Sequence, residues 1–269
     1  MALLLSCEKQ KEWDLESSSS RMIVVDGIIT NEDIVQQIKL SYSITDPNAE
    51  PEKVRGAEVI VTVGENVYQF HEDTQHLGTY ISDVAFKGLP GKEHSLFISD
   101  KNSIYTAKAG MAQTNGNFPI AKYNRNSSDK LYHIVWACNP YNPVRPAIYE
   151  IELDWAGVSG YENVPSSETH ARLLYYALPT LDVSEVLSPK AEIVYFPAGT
   201  RITEKRYSIT ADHAEFLRAM LSETSWQGGY FSSASSNVPT NLSSGALGYF
   251  GASAVTYRTD VVKASIPLD

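Results

Sequence analysis

The sequence predicts a mainly β protein: an N-terminal β-sandwich of immunoglobulin-like or transthyretin-like type, followed by a second β-rich domain with one packed α-helix. Three observations support this prediction. Many short segments alternate apolar and polar residues with a period of two, which is typical of half-buried strands. Turn-forming residues separate these segments. One later segment spaces its apolar residues as a helix does.

The first domain is predicted to span residues 22–109. Its segments QIKLSYS, AEVIVTV, VYQF and HSLFIS each place alternate apolar residues on one face. The breaks between them, such as DPNAEP, GEN and GLPGK, have the composition of turns. Six or seven strands in a segment of about 85 residues are typical of a β-sandwich.

The second domain is predicted to span residues 131–269, after a polar linker at 110–130 that lacks periodicity. Alternation resumes in the segments LYHIVWAC, RPAIYEIELDW, KAEIVYF and RITEKRYSI. A last strand is predicted from Leu247 to about Val262.

A helix is predicted at about residues 211–224. Thr210 is a suitable N-cap, and Asp212 lies in the first turn, where the helix dipole favours an acid. The apolar residues of this segment form one stripe, which we expect to pack on a sheet. The stripe consists of Phe216, Leu217, Met220 and Leu221.

Composition excludes some classes of partner. The chain has 269 residues and a net charge of −10 at neutral pH. An acidic chain repels phosphate backbones, so binding to nucleic acid is not predicted. The 16 tyrosines suit both strands and binding loops.

Residues 1–21 are predicted to be a lipobox followed by a tether. The run MALLLSC ends at Cys7 and resembles the lipobox of a bacterial lipoprotein signal peptide. The segment EKQKEWDLESSSSR that follows is polar and of low complexity, as solvated tethers are. Acylation of Cys7 would anchor the chain to a membrane. Cys138 would then have no partner for an intrachain disulfide.

The sequence contains fragments of several chemical motifs, but none is complete. The glycines of SSGALGYFGAS, residues 243–253, follow one another at intervals of three and enter a strand, whereas a dinucleotide fingerprint has a different spacing and enters a helix. They are expected to mark bends or close backbone approaches. A metal site at His71, Asp73 and His76 is a weak alternative to a solvated hairpin.

Two further groups contain residue types that can act in catalysis. Cys138 and His133 point to opposite faces of their predicted strand, which favours a buried structural cysteine. Glu150, Glu152 and Asp154 share one face of a strand, and such a row of acids is more common on the outer face of a sheet than in a glycosidase site. No catalytic residue, metal or cofactor is therefore predicted.

After Cys7, six segments follow one another in order: MIVVDGIITNE, LSYS, VRGAEVIVTV, GTYISD, FKGLPGKEHSLFI and NVPTNLSSGALGYFGAS. Together with Cys7 they resemble the DUF4249 family of Bacteroidota outer-membrane lipoproteins. The resemblance covers most of residues 7–255 and is weakest at 110–200. The last segment fits the family pattern N-[IL]-x-x-G-x-L-G-Y-F. The fitting residues are Asn241, Leu242, Gly245, Leu247, Gly248, Tyr249 and Phe250, and Gly251 follows them directly.

The resemblance implies a non-enzymatic accessory protein, lipid-anchored at Cys7 in the outer membrane. It implies a place at the cell surface or the periplasmic face, and a TonB-dependent transporter of nutrients as its partner. Aromatic residues in the loop-rich end are the predicted contacts, although Tyr249 and Phe250 could equally belong to the core. The predicted contacts are Trp226, Tyr230, Phe231, Asn237, Tyr249 and Phe250. A surface adhesin or assembly subunit is the alternative, and a glycan or peptide hydrolase with an unmarked site is a third.

Overall fold

The computed structural model describes residues 21–44, 46, 48–114, 120–126, 130–180, 192–224 and 238–264. Within these ranges the protein is mainly β, as predicted. The strands are β1 (Ile23–Thr30), β2 (Gln37–Tyr42), β3 (Glu58–Val63), β4 (Asn66–Glu72), β5 (Thr79–Ser82), β6 (Glu93–Asp100), β7 (Ser103–Ala112), β8 (Lys122–Arg125), β9 (Tyr132–Trp136), β10 (Ala147–Asp154), β11 (His170–Ala177), β12 (Arg201–Ser208) and β13 (Ala246–Val261). The helices are α1 (Ser166–Thr169) and α2 (Ala211–Thr224).

Eight strands close into a mixed, barrel-like sheet in the order β1-β2-β5-β4-β3-β6-β7-β13. The ring closes because β13 pairs with both β7 and β1. β1 and β13 run parallel over eight residue pairs, from Ile23↔Ala246 to Thr30↔Ser253. We call the end of the barrel where β1 begins the lower end, and the end where β1 finishes the upper end.

The structure differs from the predicted immunoglobulin-like or transthyretin-like sandwich. Sandwiches and barrels share the same period-two alternation, so the strand pattern predicts both equally well. The strand that closes the ring, β13, comes from the far end of the chain. The proposed boundaries at 22–109, 110–130 and 131–269 stay a prediction.

Alternate residues of the barrel strands fill its interior, as the sequence predicts. Val59 and Val61 of β3 are fully buried, as are Ile38 of β2 and Ile98 of β6. Phe250 of β13 is also fully buried and belongs to the same apolar cluster. Burying one such side chain contributes about 1.5–3 kcal/mol relative to leaving it exposed, so this interior is the main source of the barrel's stability.

β13 continues beyond the barrel into a second sheet, in the order β13-β12-β10-β11. It pairs with β12 from Ser208↔Ala254 to Arg201↔Val261. β8 and β9 form a separate hairpin, whose Tyr132 packs with residues of β10 and β11. One predicted strand is wrong in the part of it that the structure describes. Residues 192–195 of KAEIVYF do not pair in a sheet, and Phe196 forms an isolated bridge with Tyr132.

Helix α2 begins and ends where the sequence predicts. The hydroxyl of Thr210 accepts a hydrogen bond from the backbone N–H of His213 at 3.3 Å, which caps the first turn. Its apolar stripe packs with the second sheet, also as predicted, through Leu217 and Leu221 against Ile148. Four-residue α1 was not predicted.

Neither helix in the described ranges has the length and apolar character needed to cross a lipid bilayer.

Candidate functional site

The glycine-rich stretch at residues 243–253 forms the start of β13 and is architectural. Gly248 has a φ of +88°, and a Cβ there would lie 2.1 Å from the carbonyl oxygen of Val25 on β1. A Cβ on Gly251 would lie 2.8 Å from the Cε1 atom of His213. These glycines therefore allow β1 to pair closely with β13 and allow the His213 ring to lie on the strand.

Asn241 completes the ring where β7 and β13 separate. The two strands pair directly only at Ala252↔Met111 and Ser253↔Ala112. Below that point, the side-chain amide of Asn241 donates hydrogen bonds to the carbonyl oxygens of Lys108, at 2.9 Å, and Phe250, at 2.7 Å. Its Oδ1 accepts a hydrogen bond from the backbone N–H of Phe250 at 3.1 Å. The side-chain amide thus satisfies the backbone groups that the diverging strands leave unpaired.

An aromatic stack joins α2 to the outer face of β13. The ring of Tyr249 lies 4.5 Å from that of His213 and 4.9 Å from that of Phe216, nearly parallel to both. His213 is 4% exposed, and burial lowers its pKa to about 4. The imidazole is therefore neutral at physiological pH and acts as an aromatic packing group.

The structure describes two of the six predicted contact residues. Tyr249 is buried in the stack with His213, and Phe250 is fully buried inside the barrel, which is the core alternative that the sequence left open. Their role in partner binding stays a prediction. The remaining predicted contacts and the predicted lipidation site lie outside the described residues. These are Trp226, Tyr230, Phe231, Asn237 and Cys7.

The histidine- and acid-containing hairpin does not assemble a metal site. His71 pairs with Asp83 at 2.6 Å, and His76 pairs separately with Asp73 at 2.7 Å. Among the residues that the structure describes, no three His, Cys, Asp or Glu side chains come together as metal ligands. The hairpin is exposed, as its solvated interpretation predicts.

The acids of β10 belong to an ion-pair cluster. Glu150, expected on an outer face, is instead 3% exposed, and it is bonded to Arg172 and lies 3.6 Å from Lys205. Lys205 also bonds Glu152 at 3.0 Å. Burial raises the pKa of Glu152, but the hydrogen bond and positive charge of Lys205 lower it by more, so the net pKa lies below its ordinary value. This is opposite to the raised pKa that a general acid in glycoside hydrolysis needs.

Cys138 is a buried structural residue, as predicted. It packs in a small cluster with Ala147, Tyr149 and Ala177. Burial raises the pKa of the Cys138 thiol to about 12. The thiol therefore stays protonated at neutral pH, which makes it a poor nucleophile.

The upper end of the barrel presents a small apolar surface on two loops. Ile34 is 45% exposed, Val35 is 48% exposed and Val84 is 57% exposed. Ile34 forms an isolated antiparallel bridge with Phe86, so the loop after β1 lies against the loop after β5. We call Ile34, Val35 and Val84 the upper-end patch.

Gln36 holds these two loops together, and sequence reasoning missed it. Its side chain is buried. The side-chain oxygen accepts a hydrogen bond from the backbone N–H of Thr30 at 3.0 Å, and the side-chain nitrogen donates one to the carbonyl of Phe86 at 3.0 Å. Its backbone N–H donates to the hydroxyl of Ser82 at 3.0 Å. A buried, fully bonded amide fixes the loops, so the upper-end patch is presented on a rigid support. Gln36 lies just before β2 and is one of two adjacent glutamines, and the sequence gives no periodic signal that distinguishes its role.

Comparison with known proteins identifies the family. The family model named Domain of unknown function (DUF4249) matches residues 8–259. The chain belongs to the DUF4249 family. A comparison with curated proteins gives no match. In this DUF4249 protein, the segment that fits the family pattern contains Asn241 and the β13 glycines, which hold the barrel closed, and Tyr249, which stacks on α2.

Proposed function

We propose that this protein is a lipid-anchored, non-enzymatic accessory protein of an outer membrane that acts by binding a partner. The anchor is the acylated thiol of Cys7, followed by the polar tether before residue 22. The expected partner is a TonB-dependent transporter, a role in nutrient uptake that the family resemblance implies.

The position of the upper-end patch is the observation that supports this proposal best. The chain enters the barrel at the lower end, where β1 begins at Ile23. The upper-end patch lies at the opposite end, just beyond Thr30. A tethered protein would hold this exposed apolar surface away from its anchor, where a partner can reach it.

The buried polar groups also favour binding over catalysis. Glu150 is neutralised by Arg172 and Lys205, and Glu204 is bonded to Arg258 at 2.6 Å. Cys138 and His213 are held in their uncharged forms by burial. Each of these groups stabilises packing rather than facing a cleft where a substrate could meet it.

The test is co-purification of the tagged, full-length protein from gently solubilised native membranes. Wild type should recover a TonB-dependent transporter, and mass spectrometry should find Cys7 acylated. Val84→Asp should reduce recovery of the transporter about tenfold, because a charge in a contact costs at least 1.4 kcal/mol. Ile104→Asp is the matched control, since Ile104 is 62% exposed near the start of β7, at the lower end of the barrel.

Three results would contradict the proposal. An unacylated, freely secreted chain would exclude the anchor. Recovery of the protein alone, together with loss of surface adhesion on deletion, would favour the adhesin. Hydrolysis of pooled glycans that depends on Glu150 would favour the hydrolase.

A further inference from the structure

β11 is a free edge of the second sheet in the part of the chain that the structure describes. β12 and β10 each have neighbours on both sides, whereas residues 254–261 of β13 pair with β12 on one side. β11 pairs with β10 alone. We call the outer side of β11 the β11 edge.

Backbone hydrogen bonds on both sides of β10 show which backbone groups of β11 face outward. The N–H of Trp155 donates to the carbonyl of Thr169 at 2.9 Å, so odd-numbered residues of β11 bond to β10. On the other side, the N–H of Ile209 donates to the carbonyl of Pro146 at 3.2 Å, which gives the same alternation. The residues whose backbone groups turn outward are therefore His170, Arg172, Leu174 and Tyr176.

The outward backbone groups of these four residues make no hydrogen bond to any described residue. The edge also lacks several of the usual protective features. β11 reads HARLLYYA, without proline or lysine, and its register with β10 has no bulge over eight pairs. Its charged side chain, Arg172, is bonded to Glu150 of β10. Leu174 is 42% exposed at its centre. Natural proteins usually block such edges, because they accept strands from other chains.

We propose that the β11 edge binds an extended segment of the partner protein, which adds to the sheet as a further strand. The inference rests on the proposed function and identifies how that partner is held. The segment needs about seven residues to run from His170 to Tyr176, and backbone hydrogen bonds would provide much of its affinity. Beside Leu174 and Tyr176 its side chains should be apolar.

A second copy of this chain fits the edge poorly. Next to Tyr176 the edge is already occupied, because the N–H of Leu178 donates to Pro140 and its carbonyl accepts from Asn142, both at 2.8 Å. At the other end, α1 leads directly into β11. An antiparallel copy centred on Leu173 would bring its α1 against residues 140–142. An extended segment without a flanking helix avoids this collision.

Site-specific photo-crosslinking in native membranes tests the inference. A photoreactive benzoylphenylalanine replaces Leu174 in one full-length variant and Tyr257 in another. The two positions share one face and one cross-strand row, through Glu150 and Lys205, and Tyr257 is 68% exposed. Position 174 should crosslink to the co-purifying transporter, within a single segment of about seven residues. Position 257 should give at least tenfold less product.

A second variant tests the backbone directly. Leu174→Pro removes an N–H that faces outward and leaves the ladder to β10 without a lost bond. It should reduce recovery of the transporter at least tenfold, whereas Leu174→Ala, which keeps the N–H, should reduce it less than threefold. Circular dichroism should show that both variants are folded. Should Leu174→Pro unfold, the crosslinking result decides alone.

The outcomes separate the inference from the proposed function. The transporter could co-purify but crosslink equally from both positions, or only from position 257. That result would contradict binding at the β11 edge and would leave the proposed function standing. A crosslink between two copies also overturns it, in favour of self-association. If no partner co-purifies with wild type, both proposals fail together.

Discussion

His213 shows how one buried side chain can make stability depend on pH. Its ring packs against Tyr249, Phe216 and the backbone of Gly251, which has no side chain. Burial lowers its pKa to about 4 from an ordinary value of 6.5. Between pH 6.5 and pH 4, the His213 side chain is therefore protonated in the unfolded chain but not in the folded chain. Its contribution to the free energy of unfolding is complete above pH 6.5 and declines as the pH falls towards 4.

We predict that His213→Phe removes this part of the pH dependence. A shift of this size corresponds to a loss of roughly 3 kcal/mol in the free energy of unfolding of wild type between pH 7 and pH 4. The phenyl ring keeps the stack but cannot take up a proton. Urea unfolding at several pH values measures the difference between the two proteins. Parallel curves for wild type and His213→Phe would show that the imidazole does not contribute.

The residue scale also shows where sequence reasoning stops. It predicts that the glycines of residues 243–253 mark close approaches, and Gly248 meets Val25 in that way. It does not predict that Asn241 bonds both Lys108 and Phe250, because one of those bonds crosses 133 positions of the chain. Nor does it predict that Glu150 is buried, because alternation places a residue on a face without saying what covers that face.

At the scale of elements, the ion-pair cluster ties β10 to its neighbours on both sides. Glu150 of β10 is bonded to Arg172 of β11 and is close to Lys205 of β12. The Glu150 side chain is only 4% exposed, so an unpaired charge there would be costly. The ordinary surface pair between Lys108 and Glu93, at 2.8 Å, offers a comparison, since its partners are 71% and 57% exposed.

Lys205→Ala should lower the free energy of unfolding by roughly 2 kcal/mol, less than the loss of a fully buried pair because Arg172 still bonds Glu150. Lys108→Ala is the matched control and should change it by less than about 1 kcal/mol. Urea denaturation at neutral pH measures both. Equal effects of the two substitutions would mean that the cluster contributes no more than a surface pair.

The elements themselves were predictable to different degrees. Most strands and helix α2 follow from local signals, namely period-two alternation, turn residues and the Thr210 cap. The closed ring does not, because β1 and β13 come from opposite ends of the chain and their pairing leaves no local pattern. The segment before Phe196 alternates like a strand but has no described strand beside it apart from one bridge to Tyr132.

At the scale of the whole molecule, β13 makes the barrel and the second sheet interdependent. Its first half pairs with β1, and its second half pairs with β12. Neither part can lose β13 without disturbing the other. The two should therefore unfold in one cooperative transition.

We predict that a core substitution in either part destabilises both. Leu96→Ala in the barrel and Leu153→Ala in the second sheet each remove a side chain that is at most 2% exposed, at a cost of about 2–5 kcal/mol. Pulse-labelling hydrogen exchange along a urea titration can follow peptides from β3 and from β10 separately. Both peptides should shift to the same midpoint in each variant. Separate midpoints would show two independent units.

The parallel pairing of the first and last strands also determines how the molecule resists force. A pull on the chain at Arg21 draws β1 along its own axis, past β13, while the second sheet holds the far half of β13. All eight pairs between the two strands are then strained in shear, and they must break together instead of peeling apart in turn. We therefore expect the fold to resist a pull along β1 with more force than a pull that separates paired strands one residue pair at a time.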